Sequence, residues 1–371
     1  MQNIAVIGGG VIGASIAYHL ARAGAKVTLL DQRPPVSGTT AASFAWLNGS
    51  SGKSEPYVRL RQDSLQTWRD LDQALAGALK IEWTGCISWR PTAEETERFV
   101  ANRQAWGYPI SLIERNRVAE LEPGLIDPPP CAAHMPAEGA LLPVEATQTL
   151  LAAAREAGAD IRHETPVIGI DQQKGRVAAV EIPGERLAAD CVVLAAGTET
   201  RALAALAGAD IPMTSTPGVA FYCKPCPRLV NGVVVNEAFE MKQNAEGRFI
   251  SVANFPENEP APWAAVERVV RQELAAIARH VRGADKLEVD RTVLGYRPLP
   301  PDGFPMLGFA PGLDGLYVAV MHSGVTLAPI VGRFAVEEIV QGRAADALAM
   351  YRPGRFAPDT APDRATFDRS F

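Results

Sequence analysis

The sequence lacks any apolar run of about 20 residues, the length that a helix needs to cross a bilayer. It also lacks an excess of positive charge, since 36 Lys and Arg stand against 42 Asp and Glu and leave a formal net charge of −6. A chain with this balance is not expected to bind nucleic acid or an anionic membrane surface. The first residues lack the basic stretch of a signal peptide, so we expect a cytoplasmic protein.

Cysteine and histidine are scarce. The five cysteines are odd in number and scattered, which fits a reducing compartment better than a disulfide scaffold. Cys223 and Cys226 form one C-x-x-C pair, but no second pair completes a zinc site, and the five histidines are dispersed. We therefore expect no bound metal. The length of 371 residues indicates about two domains.

The first 31 residues carry a nucleotide-binding motif. A strand at 3–8, a helix at 12–24 and a strand at 26–31 form a βαβ unit with the pattern Gly8-x-Gly10-x-x-Gly13. Gly8 makes the tight turn, Gly10 lets the backbone approach a pyrophosphate, and Gly13 lets the helix pack on the strand. Asp31, at the end of the second strand, is placed to accept hydrogen bonds from ribose hydroxyls, which disfavours NADP.

A loop of small residues, SGTTAASFAWLN at 37–48, follows in place of a regular crossover. Its hydroxyl groups can line a diphosphate, and its small side chains let a flat ring system lie close to the backbone. This loop favours FAD over NAD, with a flexible surface loop as the alternative.

The remaining elements predict an α/β protein. Helical periodicity predicts helices at 56–79, 92–107, 145–158 and 263–282, and alternation predicts antiparallel strands over 215–255 with a hairpin turn at NAEG, 244–247. We expect a nucleotide-binding domain assembled from 1–50, 140–215 and 296–371. A second domain built on an antiparallel sheet is expected to comprise 51–139 and 216–295.

Six stretches together resemble the glycine oxidase, D-amino-acid oxidase and sarcosine oxidase (DAO) family of FAD-dependent amine oxidoreductases. They are IAVIGGGVIGASIAYHLARAGAKVTLLD, TTAAS, EGALLPVEATQTLLAAAREAGADI, CVVLAAGTETRAL, YRPLPPDGFPMLG and HSGVTLAP. The resemblance covers nearly the whole chain in the right order. It implies a Rossmann-like FAD-binding βαβ domain built from discontinuous segments, with an antiparallel-sheet substrate domain of the glutathione-reductase-2-like type.

The motifs and the resemblance together imply an FAD site. FAD is expected to contact Gly8, Gly10, Val11, Ile12, Gly13, Asp31, Gln32, Thr39, Thr40, Ala41, Ala42, Ser43, Trp46, Asn48, Val167, Ala196, Gly197, Arg297, Ser323, Gly324, Val325, Thr326 and Leu327. Val167 matches the family position whose backbone contacts adenine, with an ordinary strand residue as the alternative. The family's covalent attachment would need a cysteine near 300–325, and none is there, so the FAD is expected to be non-covalent.

The late stretch YVAVMHSGVTLAPIVGRFAVEEIVQG, residues 317–342, reads as a buried strand, a turn and a helix. Gly324 permits close approach of a ligand, and the N–H groups of Val325, Thr326 and Leu327 are expected to be unpaired donors at the helix start. Pro329 is expected in the first turn, where no N–H is needed. The dipole of this helix would favour negative charge at the flavin O2 edge.

Arg297 and Lys242 are the candidate charged residues of the active site. The resemblance implies that Arg297 binds the substrate carboxylate, which a planar guanidinium can do with two hydrogen bonds; a structural ion pair is the alternative. A cation such as Lys242 near the flavin can stabilise superoxide during dioxygen reduction. The alternative for Lys242 is a solvated lysine beside a hairpin.

The aromatic residues Tyr296, Tyr222 and Phe239 are candidates for the wall of a substrate pocket, with ordinary packing as the alternative. His322 is a candidate catalytic base, although a structural position or one at the flavin edge is favoured because the family's chemistry needs no strong base.

The resemblance implies FAD-dependent oxidation of the C–N bond of a small amino or imino acid such as glycine, sarcosine, iminodiacetate, an opine or a D-amino acid. The resemblance implies hydride transfer to flavin N5, hydrolysis of the imine, and reoxidation by O2 to give H2O2. Departures from the glycine and sarcosine oxidase patterns in TTAASFAWLN and MHSGVTLAP favour a secondary amine that carries a carboxylate.

Several alternatives stay open. The first is a dehydrogenase that passes electrons to a quinone or a partner subunit in place of O2. The others are a flavin module that modifies tRNA, which the acidic charge disfavours, and an NAD-dependent dehydrogenase. Homo-oligomeric assembly also stays open.

Overall fold

The computed structural model describes residues 2–255 and 262–356, which form a mixed α/β fold. The helices in chain order are α1 (Val11–Arg22), α2 (Glu55–Ala74), α3 (Ala93–Ala105), α4 (Arg115–Leu121), α5 (Pro143–Glu156), α6 (Thr200–Leu206), α7 (Trp263–His280) and α8 (Gly324–Ala335). The domain ranges predicted from the sequence also include residues 1, 256–261 and 357–371, which lie outside the described residues. The division into two domains stays a prediction.

The strands belong to four sheets. In chain order they are β1 (Asn3–Ile7), β2 (Lys26–Leu30), β3 (Trp46–Leu47), β4 (Cys86–Ser88), β5 (Ser111–Glu114), β6 (Cys131–Met135), β7 (Gly139–Ala140), β8 (Asp160–Arg162), β9 (Gly169–Gln173), β10 (Arg176–Ile182), β11 (Glu185–Ala188), β12 (Cys191–Leu194), β13 (Thr214–Pro225), β14 (Val233–Val235), β15 (Glu240–Gln243), β16 (Arg248–Asn254), β17 (Val289–Leu299), β18 (Met306–Phe309) and β19 (Leu316–Val320).

A six-stranded sheet in the order β18-β19-β12-β1-β2-β8 carries the predicted nucleotide motif. All its pairings are parallel except that of β18 with β19. Strands β1, β12 and β19 are apolar and almost wholly buried because a parallel sheet is covered on both faces. The carboxyl ends of these strands therefore meet at one edge, where ligands bind in open α/β sheets.

Helices α1 and α8 pack closely against each other beside this sheet. Gly332 makes the approach close enough that a Cβ there would overlap the ring of His19. The Ser15 hydroxyl donates to the Ala328 carbonyl oxygen at 2.7 Å. Since α1 follows β1 and α8 follows β19, both helices begin at the same edge of the sheet.

Pro329 lies in the sixth position of α8, not in its first turn as expected from the sequence. A proline there removes the N–H that would bond to the Val325 carbonyl oxygen. The indole Nε1 of Trp68 takes this role and donates to Val325 O at 3.0 Å. The Ser64 hydroxyl of the same helix, α2, donates to the Thr326 carbonyl oxygen at 2.6 Å. Helix α2 thus satisfies the backbone of α8 where the proline interrupts it.

An eight-stranded sheet in the order β17-β13-β16-β15-β14-β4-β6-β5 faces the same edge. Its pairings are antiparallel except that between β14 and β4. The hairpin of β15 and β16 turns at 244–247, as predicted. One face of the sheet packs Val219, Phe221 and Phe249 against α7 through Val266 and Val270. The opposite face is left to contact the segments around residues 39–46.

The buried carboxylate of Glu138 holds the segment that follows β3. Its Oε1 accepts hydrogen bonds from the backbone N–H groups of Gly49 (2.9 Å) and Ser50 (2.7 Å) and from the Tyr108 hydroxyl (2.8 Å). Its Oε2 accepts from the indole Nε1 of Trp46 at 2.8 Å. These four donors offset the cost of burying a carboxylate.

No helix in the ranges 2–255 and 262–356 has both the length and the apolar character needed to cross a bilayer.

Glu138→Gln tests this hydrogen-bonding centre. An amide nitrogen in place of Oε2 would face the Trp46 N–H, another donor, so one buried N–H loses its acceptor. We expect the free energy of unfolding, measured with urea at saturating FAD, to fall by about 2–3 kcal/mol. The control Glu97→Gln, at an exposed position of α3, is expected to change it by less than about 0.5 kcal/mol. Equal values for the two variants would contradict this role.

Candidate active site

A cavity of about 620 Å³ lies between the carboxyl edge of the six-stranded sheet and the open face of the eight-stranded sheet. Many predicted FAD residues line it: Gly8, Gly10, Val11, Ile12, Asp31, Gln32, Thr39, Thr40, Ala42, Ser43, Trp46, Asn48, Val167, Ala196, Gly197, Arg297, Ser323, Gly324, Val325 and Thr326. Residues from six separate stretches of the sequence thus meet around one cavity.

One end of the cavity has the form of a dinucleotide site. Gly8 has a φ of +113°, and a Cβ there would lie 2.5 Å from the Ala195 carbonyl oxygen. The Thr40 hydroxyl accepts a hydrogen bond from the Val11 N–H at 3.1 Å, which brings the small-residue loop onto the start of α1. A Cβ at Gly10 would lie 3.1 Å from that same hydroxyl oxygen. A side chain at Gly8 or Gly10 would therefore crowd the turn.

Asp31 lines the same end of the cavity as the glycine turn. Its Oδ2 accepts from the Gly9 N–H at 2.6 Å, and its Oδ1 accepts from the Arg33 N–H at 2.8 Å. These bonds fix the carboxylate at the cavity wall. Each carboxylate oxygen can accept a further bond, so the position is compatible with binding ribose hydroxyls.

The start of α8 forms the other end of the cavity. Ser323, Gly324, Val325 and Thr326 line it, and the dipole of the helix points its positive end there. The prediction for Leu327 is wrong, because its N–H donates to Ser323 O at 3.0 Å as the first helical hydrogen bond, and its side chain is fully buried in the core.

Arg61 of α2 lines this end of the cavity and bonds to residues on both sides of it, and it was not predicted from the sequence. Its Nη1 donates to the Ser323 hydroxyl at 2.7 Å and its Nε to the Asn48 carbonyl oxygen at 2.9 Å. A positive charge therefore lies beside the α8 terminus. The only sequence signal was an arginine on the apolar side of a helix, since Leu60 and Leu65 flank it in the core.

Arg297 lies on β17, and its side chain extends across β13. Its Nη1 donates to the Pro217 carbonyl oxygen at 2.9 Å, and its Nη2 donates to Asn254 Oδ1 on β16 at 3.0 Å. The guanidinium lies over Gly218, where a Cβ would be 2.6 Å from Arg297 Cζ. The absence of a side chain at 218 thus provides the space in which the guanidinium is held at the cavity.

His322 also lines the cavity, between the sheet and α8. Burial within the molecule, together with the Arg297 and Arg61 charges, lowers the pKa of His322 to about 3. The ring is therefore neutral at physiological pH, and a group with this pKa is a poor proton acceptor. This pKa disfavours a catalytic base, while a structural position or one at the flavin edge stays a prediction.

Lys242 differs from both interpretations offered by the sequence. It is buried rather than solvated, and it does not line the cavity. Its Nζ donates to the Leu141 carbonyl oxygen at 2.8 Å and lies 3.5 Å from Ala45 O. Burial lowers the pKa of Lys242 to about 7. Its position behind the Phe44 ring makes it a support for the cavity wall.

None of the three aromatic residues that were candidates for the pocket wall lines the cavity. Tyr296 is exposed on the opposite face of β17 from Arg297, because neighbouring residues of a strand point to opposite faces. Phe239 packs against Trp89 and His280. The Tyr222 ring is buried and stacks with the Arg291 guanidinium.

Gly13 and Ala41 lie next to the cavity without lining it. A Cβ at Gly13 would overlap the Gly8 carbonyl oxygen, so this glycine serves the packing of α1 on the first turn. Ala41 lies within the short 3-10 turn Thr39–Ala42, whose neighbours Thr40 and Ala42 do face the cavity.

Further lining residues were not predicted. Phe44 lines the cavity from the loop before β3, and the residues on the sheet are Thr216, Glu240, Val252 and Asn254. Their strands alternate apolar and polar residues, which identifies a two-faced sheet but not the ligand that one face meets.

The residues present fit FAD. The cavity joins a glycine turn at the start of one helix to the start of a second helix, and the helix dipoles favour negative charge at both ends. A pyrophosphate fits the first end, and the polar edge of a ring fits the second.

Comparison with known proteins agrees with this geometry. Residues 3–338 match the DAO family model, described as FAD dependent oxidoreductase. The chain is 27% identical to glycine oxidase of Geobacillus kaustophilus (strain HTA426) over 371 residues, which are 94% of this chain and 96% of that protein. It is 25% identical to one of the chains of opine oxidase from Agrobacterium tumefaciens (strain Ach5) over 378 residues, 95% of this chain and 97% of the other.

It is 26% identical to mitochondrial dimethylglycine dehydrogenase of Rattus norvegicus over 385 residues, 95% of this chain but only 44% of that protein. Among solved structures, L-proline dehydrogenase from P. horikoshii superposes with a TM-score of 0.87 at 24% identity, covering 97% of this chain and 99% of the other. This likeness confirms the predicted fold class. The chain therefore belongs to the DAO family of FAD dependent oxidoreductases, flavoenzymes that oxidise amino acids and related amines at a C–N bond.

Proposed function

We propose that the chain oxidises a small amino or imino acid whose carboxylate binds Arg297, with a secondary amine such as sarcosine, iminodiacetate or an opine preferred and O2 as the electron acceptor. The observation that carries the proposal is the Arg297 guanidinium, held over Gly218 in the same cavity as the α8 terminus. We further propose that 1–50, 140–215 and 296–371 form the FAD domain, and that 51–139 and 216–295 form the substrate domain.

Arg297 supplies orientation. A guanidinium that donates two hydrogen bonds to one carboxylate fixes both the position and the plane of that carboxylate. The Asn254 and Pro217 oxygens restrain the guanidinium before the substrate arrives, so less conformational freedom is lost on binding. The substrate's C–N bond is thereby directed from the sheet toward the α8 side of the cavity.

When bound, FAD supplies the two-electron acceptor that the oxidation requires. The start of α8 and Arg61 favour negative charge at this end of the cavity and would stabilise negative charge on a group held there. His322 stays neutral there because its pKa is about 3. The imine product reacts with water to release an amine or ammonia and an oxo acid.

The names of the relatives support this substrate class, since glycine oxidase, dimethylglycine dehydrogenase and opine oxidase all refer to amines that carry a carboxylate. The names include both oxidases and dehydrogenases. The cavity is lined partly by the exposed residues Lys53 and Asn254, so dioxygen dissolved in the solvent can reach it.

An amine panel tests the reaction and the acceptor. Glycine, sarcosine, iminodiacetate, D-alanine, D-proline and an opine are mixed anaerobically with the FAD-loaded protein, and bleaching of the flavin absorbance is followed. We expect a secondary amine carboxylate to bleach it fastest and to generate H2O2 under air. Fast reduction of a dye without H2O2 would show a dehydrogenase instead, and no bleaching by any member would contradict the proposed reaction.

Arg297→Met removes the carboxylate partner. We expect KM for the best substrate to rise about 100-fold, the loss expected for a charge-assisted bidentate pair, while the FAD content is unchanged. The matched control is Arg291→Met on the same strand, whose guanidinium stacks on Tyr222 away from the cavity. An unchanged KM in Arg297→Met would remove this residue from the site.

Gly218→Ala tests the space under the guanidinium. The new Cβ would lie 2.6 Å from Arg297 Cζ, so the guanidinium has to move. We expect KM to rise at least tenfold with little change in the melting temperature. Ser215→Ala, at an exposed position of the same strand, is the control. A wild-type KM in Gly218→Ala would show that the position of the guanidinium is not important for binding.

A further inference from the structure

Glu240 is a carboxylate in the cavity that takes no part in the proposed binding of FAD or of the substrate carboxylate. It lies at the start of β15, lines the cavity and is partly exposed to it. Its strand neighbour Val235 and the adjacent cavity residue Val252 are apolar. Across residues 2–255 and 262–356, no hydrogen bond to the Glu240 carboxylate is present. A carboxylate in such surroundings is costly unless a partner of opposite charge joins it.

The register of the sheet brings Glu240 close to Arg297. The Arg297 side chain crosses β13 and hydrogen-bonds Asn254 of β16. Strand β15 is the next strand, about 4.8 Å further on. Because Met241 pairs with Ser251, Glu240 lies one step along on the cavity face, beside Val252. One sheet face thus presents a guanidinium at Asn254 and a carboxylate on the next strand, two residues along.

This pair of charges matches a zwitterion. An amino acid carries a carboxylate and an ammonium group that are separated by a single carbon atom. If Arg297 binds the carboxylate, the nitrogen of the same molecule needs an acceptor nearby. We propose that Glu240 binds the substrate's ammonium group, so that the cavity selects amino acids over simple carboxylic acids. This inference rests on the proposed function and adds the second point of substrate recognition.

Other charged and titratable groups lie around Glu240. Burial raises the pKa of Glu240 to about 7, and the Arg297 charge opposes that rise. Across the sheet, burial and the Glu240 charge raise the pKa of Glu273 on α7 to about 8. Burial also raises the pKa of the Cys86 thiol on β4. Lys242, two residues along the same face, is turned to the Leu141 carbonyl oxygen.

A matched pair of ligands isolates the ammonium group. Sarcosine and butyrate have the same length and one carboxylate each, but butyrate has a methylene where sarcosine has its nitrogen. The apparent Kd of sarcosine comes from the concentration dependence of anaerobic flavin bleaching, and that of butyrate from competition in the same assay. We expect Glu240→Gln to raise the apparent Kd of sarcosine about tenfold or more. The apparent Kd of butyrate should stay unchanged or fall, because a negative charge has been removed.

The pH dependence of the two apparent Kd values is a second readout, and a purely structural role of Glu240 would not affect it. Ionised Glu240 attracts an ammonium group and repels a carboxylate, and raising the pH from 6 to 8 increases its ionised fraction. In the wild type the apparent Kd of sarcosine should therefore fall and that of butyrate should rise. Both slopes should flatten in Glu240→Gln. The control Glu237→Gln, at an exposed position three residues earlier, should retain both slopes.

The outcomes separate this inference from the proposed function. Bleaching by sarcosine with equal losses for both ligands in Glu240→Gln, or with no loss for either, would overturn the role of Glu240 alone. If no amine of the panel bleaches the wild type, the proposed function fails first, and the role of Glu240 with it.

Discussion

The close packing of α1 against α8 determines where the functional cavity lies. Each helix follows a central strand of one parallel sheet, so contact between them places two helix starts at one edge of the sheet. The contact requires a missing side chain at Gly332 and a polar bond from Ser15 to the Ala328 carbonyl oxygen. Two sites that favour negative charge are thereby joined in a single cavity, which a pyrophosphate at one end and a flavin ring edge at the other can share.

The eight-stranded sheet completes the site, and here too a glycine provides the space that is needed. Gly218 leaves room for the Arg297 guanidinium, and Asn254 restrains it, so that a positive group faces the cavity from the opposite wall. Substrate recognition and electron acceptance are thus assigned to two sheets that meet at the cavity. Two buried residues support the cavity wall from behind without lining the cavity. Glu138 accepts from the Trp46 indole, and the Lys242 Nζ lies beside the Ala45 carbonyl oxygen.

The local motifs could be predicted from the sequence because they act over short distances. The turn at Gly8 and the hairpin at 244–247 depend on neighbouring residues, and the helices have strong periodicity. Lys242 and Tyr296 were misplaced because the face of a strand that meets a ligand depends on distant pairing. Arg61 and Glu240 were missed for the same reason: only the fold brings them beside Ser323 and Arg297. Leu327 was misassigned by one residue at the start of a helix, where the first N–H that is bonded within the helix depends on the cap geometry.

We propose that one cavity holds both FAD and the substrate carboxylate that Arg297 binds. The most direct measurement is a crystal structure of the FAD-loaded protein with butyrate. We expect FAD to extend from Asp31 to the backbone of Gly324–Thr326, with the butyrate carboxylate about 2.8 Å from the Arg297 guanidinium nitrogens. Butyrate bound away from Arg297, or a flavin ring distant from the start of α8, would contradict it.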